Sequence, residues 1–278
     1  MAIQQIEQST PGSASDKCMT LTVHASSLKG RGTISCYNAY SETRDLPIVI
    51  LLHGVYGNHW VWMNMGGVHN VYDRLRANKD ADKDADNSID EMLLVMPEDG
   101  SYYAGSGYLP LSNGYDFERW IMEDVLETVI KKVPSASEKS RLYITGLSMG
   151  GYGALRLGAK YANTFSGISA HSAITNIKEM SLFVKEDLSI YHCEDPHETD
   201  ALYWFKRNKQ HLPPTRMDCG EDDELYAGNV QFSQQLKDAR VDHTFLTSTG
   251  GHEWPYWHRM VEHSLRFFDG IEHHAVSD

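Results

Sequence analysis

Ser148 stands between two glycines in "LYITGLSMGGYGA" (142–154), directly after an apolar run. A serine hydroxyl is a weak nucleophile, so a chain that uses one must present it clear of neighbouring bulk and beside a base. The pattern Gly146-Leu147-Ser148-Met149-Gly150 meets the first demand, because in a sharp strand-to-helix turn a Cβ at either glycine would collide across the bend. A helix starting behind the serine would also lend positive charge to a forming oxyanion. The competing reading is a tight packing turn with an incidental serine.

An attacking Ser148 needs a histidine, and the histidine needs a carboxylate, in the chain order Ser, acid, His. "FLTSTGGHEWPYW" places His252 after two glycines, where a loop can bring the imidazole back to the serine. His258 and His263 fall further along a helical pattern, and His171 precedes any downstream acid. The acid lies in "TRMDCGEDDELY": Asp218 belongs to the strand run, and spacing leaves Glu221, Asp222, Asp223 and Glu224 unseparated. An oxyanion needs two N–H donors. Met149 supplies one, and "LLHGVYGNHWVW" supplies the other from Val55, with Tyr56 as fallback. Trp60, Trp62, Trp254 and Trp257 flank these loops and either stack a substrate ring or pack the cleft wall.

These groups must be positioned by elements the pattern also reveals. "MTLTVHASS" and "GTISCYNAY" alternate as an antiparallel hairpin turning through "LKGRG". "LPIVILLHG", "MLLVMPEDG", "RLYITG", "FSGISAHS", "PTRMDCG" and "DHTFLTSTGG" read as later strands, the first of them apolar enough to be covered on both faces. Helical spacing fills the gaps in "YDFERWIMEDVLETVIKKV", "GYGALRLGAKYA", "ELYAGNVQFSQQLKDA" and "WPYWHRMVEHSLRFF". Strands alternating with helices predict one α/β domain over residues 17–278, with a mostly parallel sheet, an antiparallel start and helices on both faces. Two segments break the alternation: the acidic run 80–91 and a cap-like insertion, 176–213. Residues 1–16, polar and rich in Ser and Gln, are expected to be flexible.

With 38 acidic against 25 basic residues, the net charge of −13 disfavours nucleic acid and anionic membranes as partners. No apolar run is long enough to span a bilayer, and the start "MAIQQIEQSTPGSASDK" lacks an export signal, so a cytoplasmic location is expected. Cys18, Cys36, Cys193 and Cys219 form no C-x-x-C pair, which argues against zinc and against a disulfide scaffold. A homo-oligomer is compatible with the sequence. Asp82, Asp84, Asp86 and Asp90 follow the spacing of the first nine positions of an EF-hand calcium loop, but Leu93 stands where its bidentate Glu belongs. A solvated loop is the expectation, with a structural calcium remote from Ser148 as the alternative.

Taken together, "LLHGVYGNHWVW", "MPEDGSYYAG", "YITGLSMGGYGALRLGAKYANTFSGISAHS", "MDCGEDDELY" and "GGHEWPYWHRM" resemble the esterase D-like branch of the α/β-hydrolases, over about residues 47–268. That branch includes tributyrin esterases, S-formylglutathione hydrolases, and feruloyl and acetylxylan esterases. The family motif C-G-x-x-D-x-L-Y falls on Cys219 to Tyr226 and selects Asp223 as the acid, and G-H-x-W falls on Gly251 to Trp254. The resemblance implies an α/β-hydrolase fold with little lid and no required cofactor. It implies a serine carboxylesterase acting on short-chain acyl esters through Ser148, His252 and Asp223. Tyr56, Trp60 and Trp254 become the expected substrate contacts. S-formylglutathione hydrolysis or carbohydrate ester hydrolysis are the alternatives within enzymes, and an inactive hydrolase fold used for binding is the alternative outside them.

Overall fold

The computed structural model describes residues 3–9, 16–80 and 88–275. Its spine is a nine-stranded sheet in the order β1-β2-β3-β5-β4-β6-β7-β8-β9. β1 (Ile3–Gln8), β2 (Cys18–Ala25) and β3 (Gly30–Tyr37) form an antiparallel meander that meets β5 (Leu93–Pro97) antiparallel. From there β5, β4 (Ile48–Leu52), β6 (Leu142–Leu147), β7 (Phe165–His171), β8 (Thr215–Gly220) and β9 (Thr244–Ser248) all run parallel.

The continuous apolar runs are explained by burial on both faces. In β4, Ile48, Ile50 and Leu52 enter one apolar cluster while Val49 and Leu51 enter the other. Each such side chain contributes about 1.5–3 kcal/mol by leaving water. One face is covered by α2 (Val68–Asp80) and α8 (Trp254–Ala275). The other is covered by α3 (Phe117–Arg119), a π-helical stretch Trp120–Val125, α4 (Leu126–Lys132), α5 (Met149–Lys160), α6 (Ala201–Arg207) and α7 (Tyr226–Asp238). Phe117, Trp120, Ile121, Val125 and Val129 are all buried, as their spacing predicts. The sequence reading passed over α2 and the short α1 (Val61–Asn64). Val68, Val71, Tyr72 and Leu75 recur at three- and four-residue steps and are buried, so the α2 signal was present.

Residues 3–8, expected to be flexible, form edge strand β1 against β2. Backbone pairing, which is indifferent to side-chain polarity, holds them there, with Ile3 and Ile6 packed on the core. Cys18 lies opposite Tyr37, and Cys36 lies opposite Met19, so the two thiols point to opposite faces of the sheet and cannot bond. Burial pushes the Cys36 thiol up to about 12. The insertion is only partly a cap. Its later half is fixed to α5, where fully buried Arg156 pairs with Glu118 at 2.7 Å and Glu198 at 2.9 Å. Lys160 reaches Glu118 and Glu198 at 2.6 and 2.7 Å. Only its first half, around Phe183, approaches Ser148.

Candidate active site

β6 ends at Leu147 and α5 begins at Met149, leaving Ser148 as the whole turn, at φ 55° and ψ −121°. A non-glycine residue with that backbone costs on the order of 1–3 kcal/mol and persists only where its surroundings impose it. Here the surroundings are backbone groups. Ser148 N–H donates to the His171 carbonyl at 3.0 Å, and the Ser148 carbonyl accepts from Tyr152 and Ile174 at 3.0 and 3.1 Å. A Cβ on Gly146 would strike the Gly150 carbonyl, and one on Gly150 would strike the Leu52 carbonyl. The glycines are required by the elbow, as their spacing suggested.

The turn after β8 holds Asp223, whose Oδ1 accepts from the Leu225 N–H at 2.8 Å. His252 Nδ1 lies 2.9 Å from Asp223 Oδ2 and 3.0 Å from Oδ1, and its Nε2 lies 2.9 Å from Ser148 Oγ. An ionised carboxylate only accepts, so Nδ1 carries the proton and the Nε2 lone pair faces the serine hydroxyl. Among the four acidic candidates, Asp223 is buried while Glu221, Asp222 and Glu224 are exposed. The structure therefore brings together Ser148, His252 and Asp223.

Of the two expected oxyanion donors in the loop after β4, Tyr56 is already committed: its N–H donates to the Ala104 carbonyl at 2.7 Å. Among the described residues, the Val55 and Met149 amides donate to no protein acceptor. Beyond this loop, β5 runs into buried Glu98 and Asp99. Asp99 accepts from the Ser101 and Ser106 amides at 2.9 and 2.6 Å. Burial, then the charge of Asp99, pushes Glu98 up to about 7.

Ser148 and His252 open on a cleft of about 540 Å³ lined by Val55, Tyr56, Val61, Phe183, Glu253, Trp254 and Trp257, among others. Tyr56 and Trp254, the expected substrate contacts, line this cleft. Trp60 does not: it precedes α1, 41 % exposed, outside the cleft wall. Trp62 is buried and donates Nε1–H to the Leu52 carbonyl at 3.1 Å, a packing role. Sequence reasoning missed Phe183. Its ring stacks on His252 with centroids 4.7 Å apart, and its carbonyl accepts from the Tyr56 hydroxyl at 3.0 Å. The only signal was that residues 176–213 were long enough to reach a pocket. A slightly larger hollow, about 580 Å³, lies among Lys209, Pro214, Arg240 and His243 at the opposite ends of β8 and β9, away from these groups.

A second array of the same residue types lies in the core. His171 Nδ1 is 2.8 Å from Asp218 Oδ2, and His171 Nε2 is 2.8 Å from Ser264 Oγ. Arg216 pairs with Asp218 at 2.8 Å, and the Tyr256 hydroxyl donates to Asp218 at 3.1 Å. Ser264 also meets Ser169 at 2.6 Å. Burial would raise the Asp218 carboxyl, but His171 and Arg216 outweigh it and hold the group below the usual range.

Of the acidic run, Asp82, Asp84 and Asp86 lie outside the described residues. Asp90 sits with Asp269 and His273, their ligand-type atoms within 4.8 Å of one another, near the start of β5 and so at the far end of the sheet from Ser148. No described helix is long and apolar enough to cross a membrane.

An acetyl esterase from Caldicellulosiruptor saccharolyticus is 25% identical over 247 residues, covering 83% of this chain and 86% of that protein. The structure of a ferulic acid esterase matches with a TM-score of 0.76 at 26% identity, covering 92% of this chain and 97% of the other. S-formylglutathione hydrolase from Staphylococcus aureus shares the fold, with a TM-score of 0.73 at 17% identity over 95% of this chain and 99% of that one. The Esterase family model matches residues 25–268. An α/β-hydrolase fold with a serine, histidine and aspartate meeting at its strand ends is thus joined by a family match over most of the length, and the chain belongs to the Esterase family of carboxylic ester hydrolases.

Proposed function

We propose that Ser148 is the nucleophile of a carboxylesterase acting on short-chain acyl esters. The observation that carries this reading is the line from Asp223 through His252 to a serine in a strained turn, with contacts of 2.9 Å at both steps. Ser148 attacks the ester carbonyl as His252 takes its proton, and Asp223 steadies the imidazolium. The Val55 and Met149 amides receive the oxyanion, which is why their lack of a protein acceptor supports the reading. His252 then protonates the departing alcohol. Water, deprotonated by the same histidine, releases the acid and restores Ser148. The chemistry uses these side chains and water alone.

Within the family, the segment "LHGVYGNHWVW" favours a tributyrin esterase-like activity of the esterase D type. Four free cysteines suit a reducing, cytoplasmic compartment. The 25% identity to an acetyl esterase favours small acyl groups, with acetylated carbohydrate as the second reading. The test is hydrolysis of p-nitrophenyl acetate, butyrate and octanoate by the native protein and by Ser148→Ala. Rates that fall with chain length and vanish in the variant are expected. Equal rates in both proteins, or none in either, would favour a hydrolase fold used for binding.

A further inference from the structure

The next inference rests on the esterase reading and concerns which esters the cleft draws in. Its walls are apolar and aromatic: Val55, Tyr56, Val61, Phe183, Trp254 and Trp257. Besides His252, the one acidic or basic side chain in the lining is Glu253. It follows His252 directly and is exposed. Its backbone is held, since its N–H donates to the Gly251 carbonyl at 2.9 Å and its carbonyl accepts from Trp257 at 3.2 Å. Its carboxylate takes no hydrogen bond and no ion pair from any described residue.

The adjoining turn deepens the negative field. Asp222 N–H donates to the Gly250 carbonyl at 3.0 Å, tying the two loops together, and Glu221, Asp222 and Glu224 are exposed there. The protein's own cations that sit over aromatic rings do so elsewhere, over Tyr37, Tyr115, Tyr161, Tyr203, Trp204 and Tyr256. Among the described residues, none covers Tyr56, Trp254 or Trp257. A cleft lining that carries both an unpaired carboxylate and aromatic rings is suited to an ammonium or quaternary ammonium group. Apolar walls strengthen the attraction beyond that of a pair in open water.

We propose that Glu253 is a specificity-determining residue that draws in esters bearing an ammonium-type charge and repels esters bearing a carboxylate. The test begins with binding, which needs no turnover. The tryptophan fluorescence of the native protein and of Glu253→Gln is titrated with choline and with its uncharged isostere, 3,3-dimethylbutan-1-ol, at low and high ionic strength. Native protein should prefer choline by about fivefold to tenfold. The preference should shrink with salt and approach parity in Glu253→Gln. A second arm compares kcat/KM for acetylcholine and 3,3-dimethylbutyl acetate as a ratio within each protein, so that any general effect of the substitution cancels. Equal binding of the two alcohols by native protein, or a preference that survives Glu253→Gln, overturns the proposal. Choline preference without hydrolysis of either ester sinks the esterase reading and leaves Glu253 its role. Hydrolysis of both esters at one rate, unchanged by the substitution, does the reverse.

Discussion

The described residues hold two Ser–His–Asp arrays, and their bond lengths do not tell them apart. Ser148–His252–Asp223 runs at 2.9 Å and 2.9 Å, and Ser264–His171–Asp218 runs at 2.8 Å and 2.8 Å. What differs is everything around them. Ser264 sits inside α8, wholly buried, where no reactant can reach its hydroxyl. Arg216 adds donors to Ser264 and Ser169, so that array is a closed polar network inside an apolar layer. Ser148 sits in a left-handed turn at a strand end, lines an open cleft and has two uncommitted amides in its neighbourhood. Hydrogen-bond geometry orders a proton path. Access and two uncommitted amides beside the serine are what such a path needs for acyl transfer.

The sharpest way to break this comparison is to remove each serine in turn. Ser148→Ala should lower kcat for p-nitrophenyl acetate by about 10⁴-fold or more. Ser264→Ala should keep hydrolysis within about threefold but lose about 1–3 kcal/mol of stability in urea, because His171 and Arg216 lose a partner. Comparable loss of activity in both would mean the core array takes part in the chemistry. The two aspartates extend the contrast. Asp223→Asn should cost about 10⁴-fold in kcat with little change in midpoint, through the wrong histidine tautomer. Asp218→Asn should instead destabilise by about 3–5 kcal/mol, leaving buried Arg216 uncompensated. If the stability losses came out reversed, the structural assignment of the core array would fail.

A smaller effect sharpens the picture through pH. The carboxyl of Glu98 moves from an ordinary 4.5 up to about 7 in the folded chain. Between those values the folded chain holds a proton that the unfolded chain has released, so stability falls as pH rises through the window and levels off above it. Glu98→Gln should therefore raise the melting temperature at pH 8 by the equivalent of up to about 3 kcal/mol and leave it unchanged at pH 4. An identical gain at both values would show that ionisation is not the cause.

Much of this was legible in the sequence because its causes are local. Gly146 and Gly150 flank a serine after an apolar run, and strand β4 reads as doubly buried from five successive aliphatic residues. The choice among Glu221, Asp222, Asp223 and Glu224 was not local, since spacing carries no burial. Only the family resemblance singled out Asp223 in the sequence, and its burial at the end of β8 is what separates it in the structure. Phe183 escaped for a related reason. Its place beside His252 depends on how the insertion folds back from β7, fixed by contacts such as the Tyr56 hydroxyl to its carbonyl. Trp60 and Trp62 show the converse, where proximity in sequence to the oxyanion loop did not put either ring into the cleft. The core array was not read from the sequence: His171 and Asp218 entered only as rivals set aside for the triad, and Ser264 lay in another element altogether.

The elbow and the first half of the insertion differ in how freely each can change over generations. At Gly146 and Gly150 the backbone leaves no room for any side chain, so drift there ends the fold's ability to present a serine. The stretch carrying Phe183 is joined to the loops around the cleft by side chains that bond to backbone: Tyr56 to the Phe183 carbonyl, Tyr191 to the Gly105 carbonyl, and Glu186 to the Ala104 amide. Such ties ask little of the residues whose backbone they grip, such as Phe183, and hold in place the residues that do the gripping, such as Tyr191 and Glu186. One wall of the cleft can therefore be rewritten at Phe183 while the chemistry stands still, and descendants of this chain would be expected to change substrate there before they change anything in the sheet.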